Sequence, residues 1–368
     1  MPLLKPLARR SFRCRCGRTV YFSNSRCLAC GAALGYEVST GLVIPLASGP
    51  DSESWRRDGE RDTLLYRRCA NFHTPAGCNW LTPASTAHRW CVACQLNRTI
   101  PDLAIAENAW LWSRVELAKR RLISSLLALG LPVEPKASPD AIRGIAFDFL
   151  RPLPGQPPVM TGHENGVITI NIEEADDAKR ERIRAAMHEP YRTLLGHFRH
   201  EIGHYYWDHL VRDSAWLEPC RLLFGDERAP YAASLRRHYD HGPSADWRLH
   251  YISGYASTHP WEDWAETWAH YLHMVDTLDT AHSFGLDAGS VDLESEPVTL
   301  EALWRHDLYS EEFLEFLNAW LRINAVMTEL SRSMGQPDFY PFALPRPAVA
   351  KLHFIHAAIR GADVGSLG

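Results

Sequence analysis

The sequence predicts an α+β protein in two parts. Residues 1–100 form a small N-terminal module clasped by metal ions, and residues 101–368 form a larger, mainly helical domain with a small sheet. Three observations carry that reading. Eight of the nine cysteines fall before residue 95, in two sets of four. From residue 104 onward, apolar side chains recur at helical spacing through several long stretches. Between them lie two short runs, 144–151 and 166–172, with strand patterning.

Composition sets the bounds. A chain of 368 residues is long enough for a small domain plus one with a sizeable core. A hydrophobic content of 46% and 13 tryptophans argue for a folded globular protein. The net charge of −5, from 44 acidic and 39 basic side chains, offers no whole-chain case for nucleic-acid binding. Basic residues do lean to the N-terminus, where Lys5, Arg9, Arg10, Arg13, Arg15, Arg18 and Arg26 precede the first acidic residue, Glu37. No apolar run approaches the ~20 residues of a membrane helix. The N-terminus has no continuous apolar core of the secretory kind, so a cytoplasmic protein is expected.

The first cysteine set is Cys14, Cys16, Cys27 and Cys30, two short pairs separated by a hairpin-sized stretch. Each pair suits a knuckle that points two thiolates at one ion, which is how a zinc ribbon is built. The second set is Cys69, Cys78, Cys91 and Cys94. Its opening spacing is unusual, and His73 or His88 could replace one of its ligands. CxC and CxxC spacing without a secretory signal fits poorly with a disulfide framework. Little other apolar content is expected before residue 100, and Ser48–Asp62 reads as a linker. Cys220, isolated, reads as a buried small apolar residue.

A helix is expected over Ala104–Leu129, with Trp112, Val115, Leu122, Ile123 and Leu126 on one side and Gly130 closing it. The alternating run Val167–Ile172 is the candidate for an edge strand that pairs with an extended peptide. A helical region follows over Asp177–Val211, interrupted near Pro190, and Arg212–Ser253 reads as irregular. Further helices are expected at Leu300–Trp304, Glu311–Ser333 and Arg346–Arg360.

The most informative stretch is His200-Glu201-Ile202-Gly203-His204, an HExxH motif inside a proline-free helical pattern. Histidines four apart lie one turn apart on one helix face, so both imidazoles can reach one Zn²⁺. Glu201 can then hold and deprotonate a metal-bound water. A zinc hydrolase also needs a third protein ligand and an open fourth position. Pro260, Glu262 and Asp263 suit the first turn of a helix. Glu262 could bind the metal while Glu266, one turn on, holds a ligand histidine by its other ring nitrogen. On their own these two would read as solvated carboxylates of an acidic helix. His197 and Asp208 could support the metal ligands from three residues before His200 and four after His204, but such residues more often read as polar members of the helix surface; Tyr205, Tyr206 and Trp207 read as core.

HExxH followed by a downstream ExxxE helix resembles the glutamate-zincin metallopeptidases. The pattern Tyr255-Ala-x5-Glu262-x-x-Ala-Glu266 is similar to the lethal-factor type of toxin protease domain. That resemblance implies that Glu262 is the third ligand and that Tyr255 donates to the oxyanion. Over most of its length the chain resembles the bacterial zinc-binding metallopeptidases with an N-terminal zinc ribbon. Cys27-Leu-Ala-Cys30-Gly, Cys78-Asn-Trp80, Asn97–Asp102 and Trp112–Pro132 carry that likeness.

Together these readings imply a zincin-like metallopeptidase domain. Zinc would sit on His200, His204 and Glu262, with Glu201 as general base and a zinc-bound water as nucleophile. Two further structural zinc ions would sit in the cysteine sites. The expected substrate is a peptide or protein, with the ribbon as a place for protein docking. Nucleic-acid binding ranks lower, because the module lacks aromatic RNA-binding signatures. The rival is a non-catalytic binding module with a structural zincin fold. Glu201 and Tyr255 argue against it, since metal binding alone requires neither.

Overall fold

The computed structural model describes residues 7–59, 64–138, 141, 143–153, 155–187, 189–294 and 296–365. Lys5 and residues 60–62 of the expected linker lie outside them. The described residues divide into two compact units, one drawn from 7–187 with 282–284, the other from 189–281 and 285–365.

The first unit opens with a hairpin of β1 (Ser11–Arg13) and β2 (Thr19–Tyr21). An antiparallel meander follows, with its strands in chain order: β3 (Ala33–Glu37), β4 (Leu42–Ser48), β5 (Ser54–Arg57), β6 (Tyr66–Arg68) and β7 (Leu81–Pro83). Two expectations fail here. The stretch read as a linker supplies β5, and the module has its own apolar core of Ile44, Leu46, Tyr66 and Leu81, with Trp55 packed against it. Strands of three to seven residues show too few alternations for their period to stand out. Gly35 lets the sheet close, because a Cβ there would lie 2.6 Å from Leu81 Cδ2.

A single turn, α1 (Val92–Gln95), leads through β8 (Asn97–Thr99) to α2 (Ala106–Ala128). Trp112, Val115, Leu122, Ile123 and Leu126 of α2 are buried, and Gly130, at φ +72°, ends it as expected. A second sheet runs β10-β11-β9-β8, with β9 at Ala146–Leu150, β10 at Gly162–Glu164 and β11 at Val167–Asn171. Ile168 and Ile170 of β11 are fully buried, as strand periodicity requires. The expected edge strand is β11, but it pairs with β10 on one side and β9 on the other. An extended peptide therefore finds no free edge there. The cause is local: Asn165 and Gly166 both have positive φ, the two-residue turn that folds β10 back along β11. Asp176 then caps α3 (Asp177–Ala186) by accepting from the amides of Ala178 and Lys179.

The second unit is helical, with no strand among its described residues. It contains α4 (Leu194–Leu210), α5 (Leu217–Phe224), α6 (Tyr231–His241), α7 (Trp247–His250), α8 (Pro260–Ser283), α9 (Ser310–Ser333) and α10 (Arg346–Gly365). The break near Pro190 falls between α3 and α4. The stretch 212–253, read as irregular, holds three helices of 4 to 11 residues; α5 and α7 are too short to show a helical period, and α6 buries none of its side chains fully, so no core-facing apolar stripe marks it. The expected helix at Leu300–Trp304 is a 3₁₀ turn, Leu300–Ala302. In the core, α8 is buried along most of its length through Trp264, Trp268, Tyr271, Leu272 and Met274, and α10 contributes Leu352, Phe354 and Ile355. Tyr205, Tyr206, Trp207 and Cys220 are buried, as expected. No helix among the described residues is long and apolar enough to cross a membrane.

Candidate metal sites and catalytic centre

Three groups among the described residues could each hold a metal ion. Two are the cysteine sets. Within each, the four sulfurs lie inside 4.8 Å of one another and no disulfide forms. Cys14 and Cys30 sulfurs are 3.6 Å apart, Cys16 and Cys27 3.8 Å, and Cys78 and Cys91 3.6 Å. A tetrahedral zinc with Zn–S bonds of about 2.3 Å holds its sulfurs roughly 3.8 Å apart, so the thiols fit that ion. The knuckles are made by backbone bonds of 2.9 Å from Gly17 N to Cys14 O and from Gly31 N to Cys27 O. All four cysteines of the second set are buried, and the group contains neither His73 nor His88.

The third group is built on α4 and α8. Thr193 caps α4, its hydroxyl accepting from Gly196 N at 3.0 Å. His259 caps α8: its Nδ1 accepts from Trp261 N at 3.1 Å, while its Nε2 donates to Ala229 O at 3.0 Å. The two helices approach closely at Gly203, the glycine of the HExxH motif. A Cβ there would lie 3.2 Å from Ala265 Cα and 3.1 Å from Trp268 Cδ1. Trp264 Nε1 fills the approach by donating to Gly203 O at 2.8 Å. Farther along, a buried ion pair joins Arg199 of α4 to Asp276 of α8 at 2.6 Å.

That contact brings His200, His204 and Glu262 together, one donor atom from each lying within 4.8 Å of the others. Glu262 Oε2 is 3.0 Å from His200 Nε2 and 3.8 Å from His204 Nε2. Zinc bonds of about 2.0–2.2 Å put neighbouring N and O donors roughly 3.4 Å apart, which these spacings bracket. The chemistry of the donors fits as well. His200 Nδ1 lies 2.8 Å from Glu266 Oε1, a bond that holds the ring proton on Nδ1 and leaves the Nε2 lone pair facing Glu262. Glu262 Oε2 is buried and has no hydrogen-bond partner, so its contact with Nε2 is close without being an aligned hydrogen bond. Two electron-pair donors held face to face call for a cation between them.

The charges show that this cation can be a proton or a metal ion. Burial works against a charged His200, but its contacts with Glu262 and Glu266 outweigh that and raise its pKa well above the ordinary value, so a proton on Nε2 competes with a metal for that donor. Burial alone would push Glu262 and Glu266 up. The charge of His204 and the contacts of His200 and Tyr231 instead pull Glu262 down to about 2, and His200, His270 and Ser253 pull Glu266 down to about 2. Both carboxylates are therefore ionised at neutral pH, as metal binding requires. Glu201, beside His200 but outside the donor group, is pushed up to about 7 by burial.

Tyr255 lies in a 3₁₀ turn (Tyr255–Thr258), its ring 5.9 Å from that of His200. Burial and the charge of Glu262 raise its pKa. Sequence reasoning missed three partners. Tyr231 donates to Glu262 Oε1 at 2.7 Å. Ser253 donates to Glu266 Oε2 at 2.6 Å and accepts from Ala256 N, tying the Tyr255 turn to the carboxylate that holds His200. Trp261 packs on His204 with ring centroids 4.5 Å apart. Tyr231 lies 31 residues before its partner, and no local pattern marks it. Asp263 points away from the donors and meets Lys351 of α10 at 2.6 Å. Asp208 pairs with Arg212 at 2.6 Å, and neither it nor His197 joins the donor group.

Comparison with known proteins adds the family. Residues 108–358 match the family described as "Putative zinc-binding metallo-peptidase", and residues 11–105 match a zinc-ribbon domain. Uncharacterized proteins of Mycobacterium bovis and of two strains of Mycobacterium tuberculosis are each 40% identical to the chain over 352 residues, 95% of this chain and 95% of the relative. No solved structure matches.

Proposed function

The chain belongs to the "Putative zinc-binding metallo-peptidase" family, and from that premise we propose that it is a zinc-dependent peptidase that hydrolyses peptide or amide bonds. The reading rests above all on one observation: His200, His204 and Glu262 converge while Glu201, raised to about 7, stands beside them without joining the donor group. A zinc ion held by those three residues supplies Lewis acidity, lowering the pKa of a water and polarising a carbonyl oxygen.

The chain's own residues do the rest. Glu266 fixes the tautomer and aim of His200, and Tyr231 holds Glu262. Glu201, with a pKa near neutrality, takes the proton of the attacking water and returns it to the leaving amine. Tyr255 donates a hydrogen bond to the oxygen that gains negative charge in the tetrahedral transition state. Residues 1–100, with two further structural zinc ions on their cysteines, dock the protein substrate or a partner, and residues 101–368 carry the chemistry. Nine free cysteines suit a reducing compartment, the cytoplasm.

The test is Glu201→Gln. It keeps the size of the side chain but cannot take up the proton. Cleavage of a broad peptide library should vanish while zinc content and fold persist. Undiminished cleavage by the variant would place the activity elsewhere or in a contaminant. A wild-type protein that binds such peptides without cleaving them would instead be a binding module.

A further inference from the structure

Beside Tyr255 lies an open pocket of about 400 Å³. It is lined by α6, by the turn through Gly242, Pro243 and Ser244, and by Ser257 and Thr258. Its position ties it to the catalytic centre. The His238 ring stands perpendicular to that of Tyr255 at 5.6 Å, and Tyr255 in turn is 5.9 Å from His200. Thr258 and Ser257 continue the 3₁₀ turn that Tyr255 begins.

Arg237 supplies the formal charge of the lining. Arg237, His238 and His241 line the pocket from α6, and no acidic side chain lines it among the described residues. Burial lowers the pKa of His238, so its ring serves as a neutral hydrogen-bonding group. Asp240, on the same helix, is not part of the lining, and Asp246 pairs with His250 at 3.5 Å. Two lining groups are also left without partners. Thr258 is 4% exposed and its buried Oγ1 has no hydrogen-bond partner, and neither does the buried Nδ1 of His238. Buried polar atoms rarely go unsatisfied, and a small turn of either side chain toward the pocket would let it meet a ligand's polar group. A guanidinium, two imidazoles and a free hydroxyl together recognise a carboxylate.

We infer that this pocket is a substrate subsite for a carboxylate, so that the proposed peptidase selects acidic peptides; the inference rests on the peptidase reading for its substrate class. The carboxylate is either the side chain of an Asp or Glu near the scissile bond or the C-terminus of a short substrate. The chemistry the pocket reads is the same in both.

The experiment uses matched peptides with Glu or Gln at each position flanking the cleaved bond, each made with a free and an amidated C-terminus. Cleavage is measured with wild type, Arg237→Gln and Thr258→Val. Binding of the same peptides is measured by fluorescence anisotropy on zinc-loaded Glu201→Gln protein, with and without Arg237→Gln. Wild type should prefer acid over amide by about tenfold, as a charge-assisted pair implies. A preference confined to one Glu position identifies a side chain, and one confined to the free terminus identifies the C-terminus. Arg237→Gln should abolish the preference and leave turnover of the neutral peptides unchanged, and Thr258→Val should weaken it. Equal cleavage of acidic and neutral peptides, or a preference that survives Arg237→Gln, overturns the subsite and leaves the peptidase reading standing. Selective binding without cleavage keeps the subsite and sinks the peptidase reading. Neither cleavage nor selective binding overturns both.

Discussion

Replacing Asp263 with alanine should loosen the fold and leave the metal donors in place, the reverse of replacing Glu262. The two carboxylates are neighbours on the first turn of α8 and both are buried. One residue is ~100° of helix rotation, so they face different partners. Glu262 faces His200 and His204, while Asp263 meets Lys351, which also donates to His250 O at 3.2 Å. Lys351 is only 5% exposed, so losing Asp263 strands a buried ammonium. Breaking a buried pair in this way costs about 3–5 kcal/mol. Each kcal/mol lowers Tm by about 2–4 °C in a unit of this size, so Asp263→Ala should fall by roughly 6–20 °C. Removing the stranded charge as well, in Asp263→Ala/Lys351→Met, should restore most of the loss. The assay is thermal and denaturant unfolding of wild type, both single variants and the double variant. Zinc content is measured at a temperature where all are folded. A parallel series with chelator separates metal loss from packing loss. The reasoning fails if Asp263→Ala unfolds within ~0.5 kcal/mol of wild type. It also fails if Asp263→Ala empties the site while still folded.

Three other outcomes follow from the same geometry. Tyr231→Phe removes the hydroxyl bonded to Glu262, a bond to a charged group worth about 1.5–3 kcal/mol, so competitive chelator titration should show zinc held about 10–100-fold more weakly; an unchanged affinity would exclude that role. Glu201, its pKa pushed up to about 7 by burial, acts as a base only when ionised, so kcat/KM should climb with pH and level off above about 7. A profile flat from roughly pH 5 to 8 would count against Glu201 as the base. Metal analysis should find three zinc ions per chain, with the ion of the His200 centre chelated first because its site keeps an open position; a single zinc in carefully prepared protein would refute the cysteine assignments.

What the sequence determined by itself is what local spacing can encode. His200 and His204 share a face because they are four apart on one helix, and Cys14-x-Cys16 and Cys27-x2-Cys30 point inward because a knuckle is only a few residues long. The long helix α2, with its periodic buried face and its closing Gly130, was legible for the same reason. Short elements were not. The strand β5, the helices α5 and α7 and the 3₁₀ turn at Leu300–Ala302 span too few residues to repeat a pattern, and α6 fully buries no side chain to mark one face. The position of β11 inside its sheet was decided by β10, although the Asn165-Gly166 turn that folds β10 back is a local hairpin signal. The sequence named Glu262, Glu266 and Tyr255, but tertiary structure alone decided how they meet the histidines and which further groups support them. Gly203 lets α8 approach α4, and only that approach sets Glu262 against the histidines and Glu266 against His200. Tyr231, Ser253 and Lys351 come from other segments, and a partner 31 or 88 residues away leaves no period in the chain. Packing brings them in because a buried carboxylate must find donors, and the fold chooses which segment supplies them.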